Sequence, residues 1–245
     1  MIEFTVSIAD IPILIRANYP QTKAFCRSYL SEKEPLFAVE ITRDDLAGER
    51  ASNANTAQNE NRPVVDYPLP YLETLAVSRK IAGQTPRYGA VLFHGAAIAV
   101  DNEVYLFTAK SGTGKTTHIR YWMDQFGDRA KIINGDKPFL KITETGAFAC
   151  GSPWQGKENY GCNAILPLKA VCLLQRDSTD HIERVSFAKE FAAVMRQTYQ
   201  PPTADGLEKT LDLLTALAAR VPLYKLGCTM DPRSALVSYN GMNEE

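Results

Sequence analysis

The 245-residue sequence has no long hydrophobic run and no basic segment near its start. Apolar stretches such as 171–174 are far shorter than the roughly 20 residues that a membrane-spanning helix requires. A signal peptide would begin with a basic segment, and the first ten residues do not have one. We therefore expect a cytoplasmic protein with no membrane partner.

The sequence has no large excess of one charge and few side chains in the patterns that bind metals. The 27 Lys and Arg residues nearly balance the 28 Asp and Glu residues, which leaves a net charge of -1. A nucleic-acid-binding domain normally shows a basic excess, so no nucleic-acid partner is expected. The three histidines and five cysteines show no CxxC or other metal-ligand spacing, which argues against a zinc site and favours reduced thiols.

The hydrophobic content of 45% is sufficient for a sizeable core, in one large domain or in one domain with an appended region. Residues 1–84 are predicted to form a small N-terminal α/β region with a polar loop at about 43–63. Pro12 places the second strand-like run of this region at a sheet edge. Residues 85–245 are predicted to form the main domain, which is rich in short strands and has helices towards its C-terminus.

The most informative segment is TAKSGTGKTTH, residues 108–118. It follows an apparent hairpin in which the runs 90–100 and 103–108 are joined by Asp101-Asn102, two residues typical of a tight turn. Apolar residues at helical spacing come after it. This order of strand, glycine-rich loop and helix is typical of a phosphate-binding loop, and a purely structural turn is the alternative.

The chemistry of such a loop explains its residue types. Glycines allow successive backbone N–H groups to turn towards a polyphosphate, and the N-terminus of the following helix favours an anion. Lys115 supplies a positive charge for the outer phosphates, and Thr116 supplies a hydroxyl for Mg²⁺. The pattern starts at Ala109, and its predicted nucleotide-binding residues are Ser111, Gly112, Thr113, Gly114, Lys115, Thr116 and Thr117.

The segments FHGAAIAVDNEVYLFTAKSGTGKTTH and INGDKPFL together resemble the C-terminal catalytic domain of HPr kinase/phosphorylase. The shared features are a His-Gly on the strand before the loop, the hairpin, the loop itself and a later acidic motif. SGTGKTT is also similar to the kinase-type loop of ATP-dependent phosphoenolpyruvate carboxykinase. The resemblance covers roughly residues 85–176. It implies an α/β fold with a mixed, largely antiparallel sheet core, and a kinase that uses ATP and Mg²⁺.

The resemblance also implies roles for single residues. Lys115 would contact the β- and γ-phosphates, and Thr116 would bind Mg²⁺. Asp136 would bind Mg²⁺ or act as the base that orients the attacking hydroxyl. His94 would lie near the phosphates, and a hydrogen-bonded core histidine is the alternative. Phosphoryl transfer depends mainly on positioning and charge neutralisation, so these groups supply most of what the reaction requires.

The sequence departs from the family in two respects. The acidic pair of HPr kinase is here Gly135-Asp136, which leaves one carboxylate. The arginine-bearing segments linked with the phosphorylase reaction have no counterpart, so reversal by inorganic phosphate is not expected. The terminal helices are not assigned to HPr recognition, so HPr is not expected as substrate. The loop 151–163 offers Lys157 to neutralise a transferring phosphate and Glu158 to contact metal or substrate, and an ordinary solvated loop is the alternative.

Two functions therefore stay open. The first is an ATP- and Mg²⁺-dependent kinase that phosphorylates a hydroxyl of a peptide, a protein or a small molecule, with residues 1–84 as a substrate platform. The second is a non-catalytic, nucleotide-binding regulatory or assembly module, which is consistent with the single carboxylate. The sequence does not identify the acceptor. It also leaves open whether the nucleotide is ATP or GTP and whether the protein forms a homo-oligomer.

Overall fold

The computed structural model describes residues 1–59, 61–110 and 112–244, which form two compact units, Met1–Gln84 and Thr85–Glu245. Among its described residues, the first unit contains a three-stranded sheet and three α-helices. Its elements are β1 (Ile2–Ile8), β2 (Ile11–Ala17), α1 (Pro20–Phe25), β3 (Phe37–Glu40), α2 (Arg43–Asn59) and α3 (Leu69–Gln84).

The strand β2 is the central strand of this sheet. It pairs antiparallel with β1 and parallel with β3. The prediction that Pro12 marks an edge strand is therefore wrong. Pro12 is tolerated because the pairing with β3 begins at Ile13, one residue later, so the missing N–H falls outside that ladder.

The prediction of a polar loop at about 43–63 is also wrong, because α2 occupies most of this range. Thr42 and Asp45 form a reciprocal cap at its start: the Thr42 N–H donates to Asp45 Oδ2 at 2.7 Å, and the Asp45 N–H donates to Thr42 Oγ1 at 3.3 Å. The helix buries few apolar side chains, among them Leu46 and Ala57. Its sequence shows little apolar periodicity for this reason, although its alanines favour a helix.

The second unit contains a mixed nine-stranded sheet and four α-helices among its described residues. Its elements are β4 (Ala90–Leu92), β5 (Ala96–Val100), β6 (Glu103–Thr108), α4 (Lys115–Phe126), β7 (Ala130–Asn134), β8 (Phe139–Ile142), β9 (Ala147–Cys150), β10 (Ile165–Arg176), β11 (His181–Val185), α5 (Phe187–Gln197), α6 (Ala204–Ala218), β12 (Leu223–Cys228) and α7 (Ser234–Asn243).

The sheet has the order β4-β8-β9-β10-β6-β5-β7, with β12 beside β10 and β11 beside β12. The strand β10 runs parallel to β6 and to β12, whereas the other pairings described are antiparallel. The predicted α/β fold with a mixed, largely antiparallel sheet is thus confirmed for this unit.

The two faces of the sheet carry separate apolar clusters. Val104 and Leu106 of β6 face a cluster that includes α5 and α6, while Tyr105 and Phe107 face a cluster with α4 and α7. Because both faces are covered, the central strands are apolar at almost every position. None of the described helices is both long and apolar enough to cross a membrane.

The hairpin before the glycine-rich loop is confirmed, and its turn follows the residue types. Asp101 and Asn102 have φ angles of 52° and 67°, the left-handed values that a type I′ turn needs. The predicted run 90–100 is two strands, however, because residues 93–95 interrupt it. A Cβ on Gly95 would lie 2.9 Å from the Phe107 carbonyl oxygen, so only glycine fits this close approach to β6.

Candidate functional site

The glycine-rich loop, residues 109–114, joins the end of β6 to the start of α4. Gly112 and Gly114 have φ angles of 78° and 126°, values that residues with a side chain rarely adopt. Gly114 is the N-cap of α4, so Lys115, Thr116 and Thr117 form its first turn. Ser111, also predicted to bind nucleotide, lies outside the described residues.

The first turn of α4 is suited to an anion. Its N–H groups have no partner inside the helix, and the helix dipole places partial positive charge there. Thr113 closes a turn just before it, because the Thr113 N–H and hydroxyl both donate to the Lys110 carbonyl, at 3.2 Å and 2.7 Å. The hydroxyls of Thr116 and Thr117 lie on half-buried residues of the same turn.

Lys115 extends back along the loop. Its ammonium donates to the Ala109 carbonyl at 3.0 Å. Burial lowers the pKa of Lys115, and the carboxylate of Asp136 raises it. The positive charge of Lys115 is therefore held at the first residue of the loop, within range of the electrostatic field of the predicted catalytic carboxylate.

Asp136 follows β7 and is held in place by Asn134. The Asn134 side-chain oxygen accepts the N–H groups of Asp136 at 2.9 Å and Lys137 at 2.7 Å. The Asn134 amide nitrogen in turn donates to the carbonyl and hydroxyl oxygens of Ser152. Asn134 is fully buried, so this turn has a fixed geometry and gives Asp136 a fixed position.

His94 lies beside Asp136, with 3.6 Å between His94 Nε2 and Asp136 Oδ1. Its Nδ1 is 2.8 Å from Gln197 Oε1. Burial and the charge of Lys115 lower the pKa of His94, while the bond to Gln197 and the Asp136 carboxylate raise it. The neutral ring that donates from Nδ1 to Gln197 presents an unprotonated Nε2 to the site.

The structure therefore brings the three predicted catalytic residues, Lys115, Asp136 and His94, to one place at the start of α4. The backbone of His94 also connects to the loop, because the Thr108 hydroxyl, on the last residue of β6, donates to the His94 carbonyl at 2.8 Å. His94 is thus held by hydrogen bonds on both its ring and its backbone.

The two predicted substrate residues lie on a turn next to Asp136. A Cβ on Gly156 would lie 3.1 Å from Asp136 Cβ, and Glu158 Oε2 would lie 3.9 Å from the same position. Lys157 and Glu158 are exposed on this turn. The turn from Gly156 to Asn159 borders the site, and its two charged side chains face solvent.

Two site residues were missed by sequence reasoning. Gln197, at the end of α5, contacts His94 across 103 residues of sequence, and no local pattern marks it. Arg176, the last residue of β10, donates from Nε to the Thr113 carbonyl at 3.1 Å and from Nη2 to the Gly112 carbonyl at 2.7 Å. A basic residue at a strand end was visible in the sequence, but the parallel pairing of β10 with β6 was not.

An open cavity of about 540 Å³ lies beside the loop. Thr113, Gly114 and Thr117 form its border with the loop, and Tyr121 of α4 and Thr229 after β12 form part of its lining. The cavity gives the loop a neighbouring space large enough for the nucleoside part of a nucleotide.

The residues present fit a nucleotide and Mg²⁺ in their chemistry. The loop offers backbone N–H groups and one ammonium for phosphates, and Thr116 and Asp136 offer oxygen ligands, the type that Mg²⁺ prefers. Within the described part of the chain there is no group of three or more His, Cys, Asp and Glu side chains that could hold a metal. Mg²⁺ is usually held by one or two carboxylates plus phosphates and water, so it does not require such a group.

Comparison with known proteins gives a distant structural likeness and no match in sequence. No family model matches the sequence, and no curated protein matches it. Among solved structures, the Hpr(Ser) kinase/phosphatase from Coxiella burnetii aligns with a TM-score of 0.38 and 10% sequence identity, over 61% of this chain and 94% of that chain. A likeness at this level carries no functional argument, so the proposal below rests on the side chains of the site.

Proposed function

We propose that the protein is an ATP- and Mg²⁺-dependent kinase that transfers the γ-phosphate to a hydroxyl of a peptide, a protein or a small molecule. The observation that carries this proposal is the position of the Asp136 carboxylate, which lies 3.6 Å from His94 Nε2 and is close enough to Lys115 for its charge to raise the Lys115 pKa. A positioned carboxylate beside a phosphate-binding lysine is the arrangement that phosphoryl transfer requires.

In this proposal each residue has a limited task. Thr116 and Asp136 would hold Mg²⁺, which would supply positive charge to neutralise the phosphates. Lys115 and the N–H groups of the first turn of α4 bind the phosphates, and Thr116 supplies a hydroxyl to the metal. Asp136 accepts the hydrogen bond of the attacking hydroxyl or binds the metal. His94, whose Nε2 lies 3.6 Å from Asp136 Oδ1, borders the same site near the phosphates.

The acceptor would approach from the turn that carries Lys157 and Glu158. This turn is exposed and borders Asp136, so a hydroxyl near Asp136 would have these two charged side chains as neighbours. The N-terminal unit as a substrate platform is also part of the proposal.

The second candidate, a non-catalytic nucleotide-binding module, is favoured by Gly135. A Cβ there would lie 3.2 Å from the Gln155 carbonyl oxygen and 3.3 Å from the Tyr160 carbonyl oxygen. These contacts leave little room for a side chain where the resembled family has its other acidic residue. Position 135 therefore adds no second carboxylate beside Asp136 for metal binding and acceptor activation.

The test compares Mg²⁺-dependent ATP binding and ATP hydrolysis in the wild type and two variants. Lys115→Ala removes charge-assisted hydrogen bonds to phosphate and should weaken ATP binding by roughly ten- to a hundredfold. Asp136→Asn should leave binding largely intact and lower turnover by about 10²- to 10⁴-fold, the usual range for a general base. Lys189→Ala and Asp128→Asn, both at exposed positions, are the matched controls.

The possible results separate the candidates. ATP binding with slow turnover that Asp136→Asn removes supports the kinase. Tight binding without turnover, when hydroxyl-bearing peptides and small molecules are supplied, supports the nucleotide-binding module. A wild type that does not bind ATP would refute both and leave the loop as a structural turn.

A further inference from the structure

Arg176 contacts the glycine-rich loop from the side of β10. It is the last residue of β10, and the parallel pairing of Leu173 with Thr108 brings the C-terminal ends of β10 and β6 together. The loop begins directly after β6, so the Arg176 side chain reaches it from a neighbouring strand rather than from within the loop.

The guanidinium group binds two consecutive carbonyls. Nε–H donates to Thr113 O at 3.1 Å and Nη2–H donates to Gly112 O at 2.7 Å. Two parallel donors on a rigid plane fix the direction of both carbonyls, which a single flexible ammonium could not do.

Fixing a carbonyl also fixes the amide in the same peptide unit. A trans peptide is planar, and its C=O and N–H point in opposite directions. With Gly112 O directed at Arg176, the Thr113 N–H points away and donates to the Lys110 carbonyl at 3.2 Å. With Thr113 O directed at Arg176, the Gly114 N–H, at the N-cap of α4, also points away from Arg176.

The loop needs such a restraint because of its glycines. Gly112 and Gly114 adopt positive φ angles, and the space around a Cβ at either position is open. Side-chain packing therefore does not hold their backbone, and glycine loses more conformational freedom on ordering than other residues do. The two carbonyl bonds from Arg176 supply an ordering contact from outside the loop.

We infer that Arg176 is a positioning residue that fixes the glycine-rich loop so that the Gly114 N–H joins the N–H groups of the first turn of α4 on one side, facing a polyphosphate. The identity of the ligand rests on the proposed function, whereas the fixing of the loop does not. Arg176 acts through the backbone that it holds, because both of its described bonds are to loop carbonyls.

The test uses the full-length protein and the variants Arg176→Lys and Arg176→Gln. Arg176→Lys keeps the positive charge but loses the two parallel donors of the planar guanidinium, and Arg176→Gln loses both the charge and these donors. The control is Arg220→Lys, because Arg220 is an exposed arginine that donates to the Ala216 carbonyl at 2.8 Å, outside the loop. Thermal unfolding of each variant shows whether the fold as a whole is intact.

The first readout needs no ligand. The Thr113 N–H is hydrogen-bonded to the Lys110 carbonyl. Amide hydrogen exchange at Thr113 should become faster by roughly tenfold in both Arg176 variants and remain unchanged in Arg220→Lys. The second readout is binding of Mg²⁺ with ATP and of Mg²⁺ with inorganic tripolyphosphate. Both dissociation constants should rise by about tenfold in both Arg176 variants, by a similar factor for the two ligands.

Unchanged exchange at Thr113 would overturn the inference, as would an Arg176→Lys variant that behaves like the wild type, since charge alone would then suffice. A loss of thermal stability large enough to account for the whole change in exchange at Thr113 would also overturn it, because Arg176 would then be a general structural residue. Faster exchange at Thr113 in a protein whose wild type binds neither ligand would support the fixing of the loop and refute the proposed function.

Discussion

The Gln197 side-chain oxygen lies 2.8 Å from His94 Nδ1, although 103 residues separate the two in sequence. The His94 N–H also donates to the Gln197 carbonyl, at 2.7 Å. The end of α5 therefore fixes both the ring and the backbone of the histidine that contacts Asp136. A helix distant in sequence thus sets the orientation of one candidate catalytic residue.

We expect Gln197→Leu to lower the pKa of His94 further, because the hydrogen bond to Gln197 raises that pKa against the effect of burial. An NMR titration of the His94 ring measures the change. Gln200→Leu is the matched control, since Gln200 bonds to Met195 rather than to His94. Identical His94 titrations in the wild type and Gln197→Leu would contradict this assignment.

His118 makes stability depend on pH. It is almost fully buried in α4 and hydrogen-bonded to Trp122 and Ser238, and burial lowers its pKa to about 4 from an ordinary value of 6.5. Between these two values the unfolded chain binds the proton and the folded protein does not. Stability is therefore lost as the pH falls from about 6.5 towards 4.

The size of this effect can be checked by urea unfolding at pH 7 and pH 5. The wild type should lose about 2 kcal/mol more than His118→Gln between these pH values, because the variant lacks the titrating group. Equal losses in the two proteins would show that His118 does not titrate as its burial requires.

Glu73 organises the N-terminal unit through a buried carboxylate. Oε1 accepts the Asn18 N–H at 2.7 Å, and Oε2 accepts the Tyr19 N–H at 3.0 Å and the Thr22 hydroxyl at 2.5 Å. We expect Glu73→Gln to lower the free energy of unfolding by about 2–3 kcal/mol, because an amide nitrogen cannot accept these bonds. Urea unfolding measures the loss, and exposed Glu34→Gln should change stability by less than about 0.5 kcal/mol.

The cap of α2 gives a test of the helix that replaces the predicted loop. Thr42→Ala removes the side chain that accepts the Asp45 N–H and should cost about 1 kcal/mol. Thr56→Ala is the control within the helix, where Thr56 donates to the Ser52 carbonyl and alanine is a good helix former. Hydrogen exchange over residues 43–47 should become faster in Thr42→Ala alone, and equal exchange in both variants would argue against the cap.

Local sequence pattern was sufficient to predict those elements whose structure depends on residues close together in the chain. The Asp101-Asn102 turn, the hairpin that it closes and the amphipathic α4 could all be predicted, because turn chemistry and helical periodicity act over a few residues. Pattern failed for α2, where reciprocal capping and tertiary contacts replace a broad apolar stripe. It failed for Pro12 as well, because a strand's place in a sheet depends on which partners arrive from elsewhere in the chain.

The sequence by itself determined which residue types the candidate site contains: the glycines, Lys115, Thr116, Asp136 and His94 were all identifiable from motif and resemblance. Only the tertiary structure decided which of them meet and what holds them. Asp136 is oriented by Asn134, His94 by Gln197 and the loop by Arg176. These contacts, apart from the local Asn134 turn, join segments separated by 63 to 103 residues. The parallel pairing of β10 with β6 brings Arg176 to the loop, and the end of α5 brings Gln197 to His94.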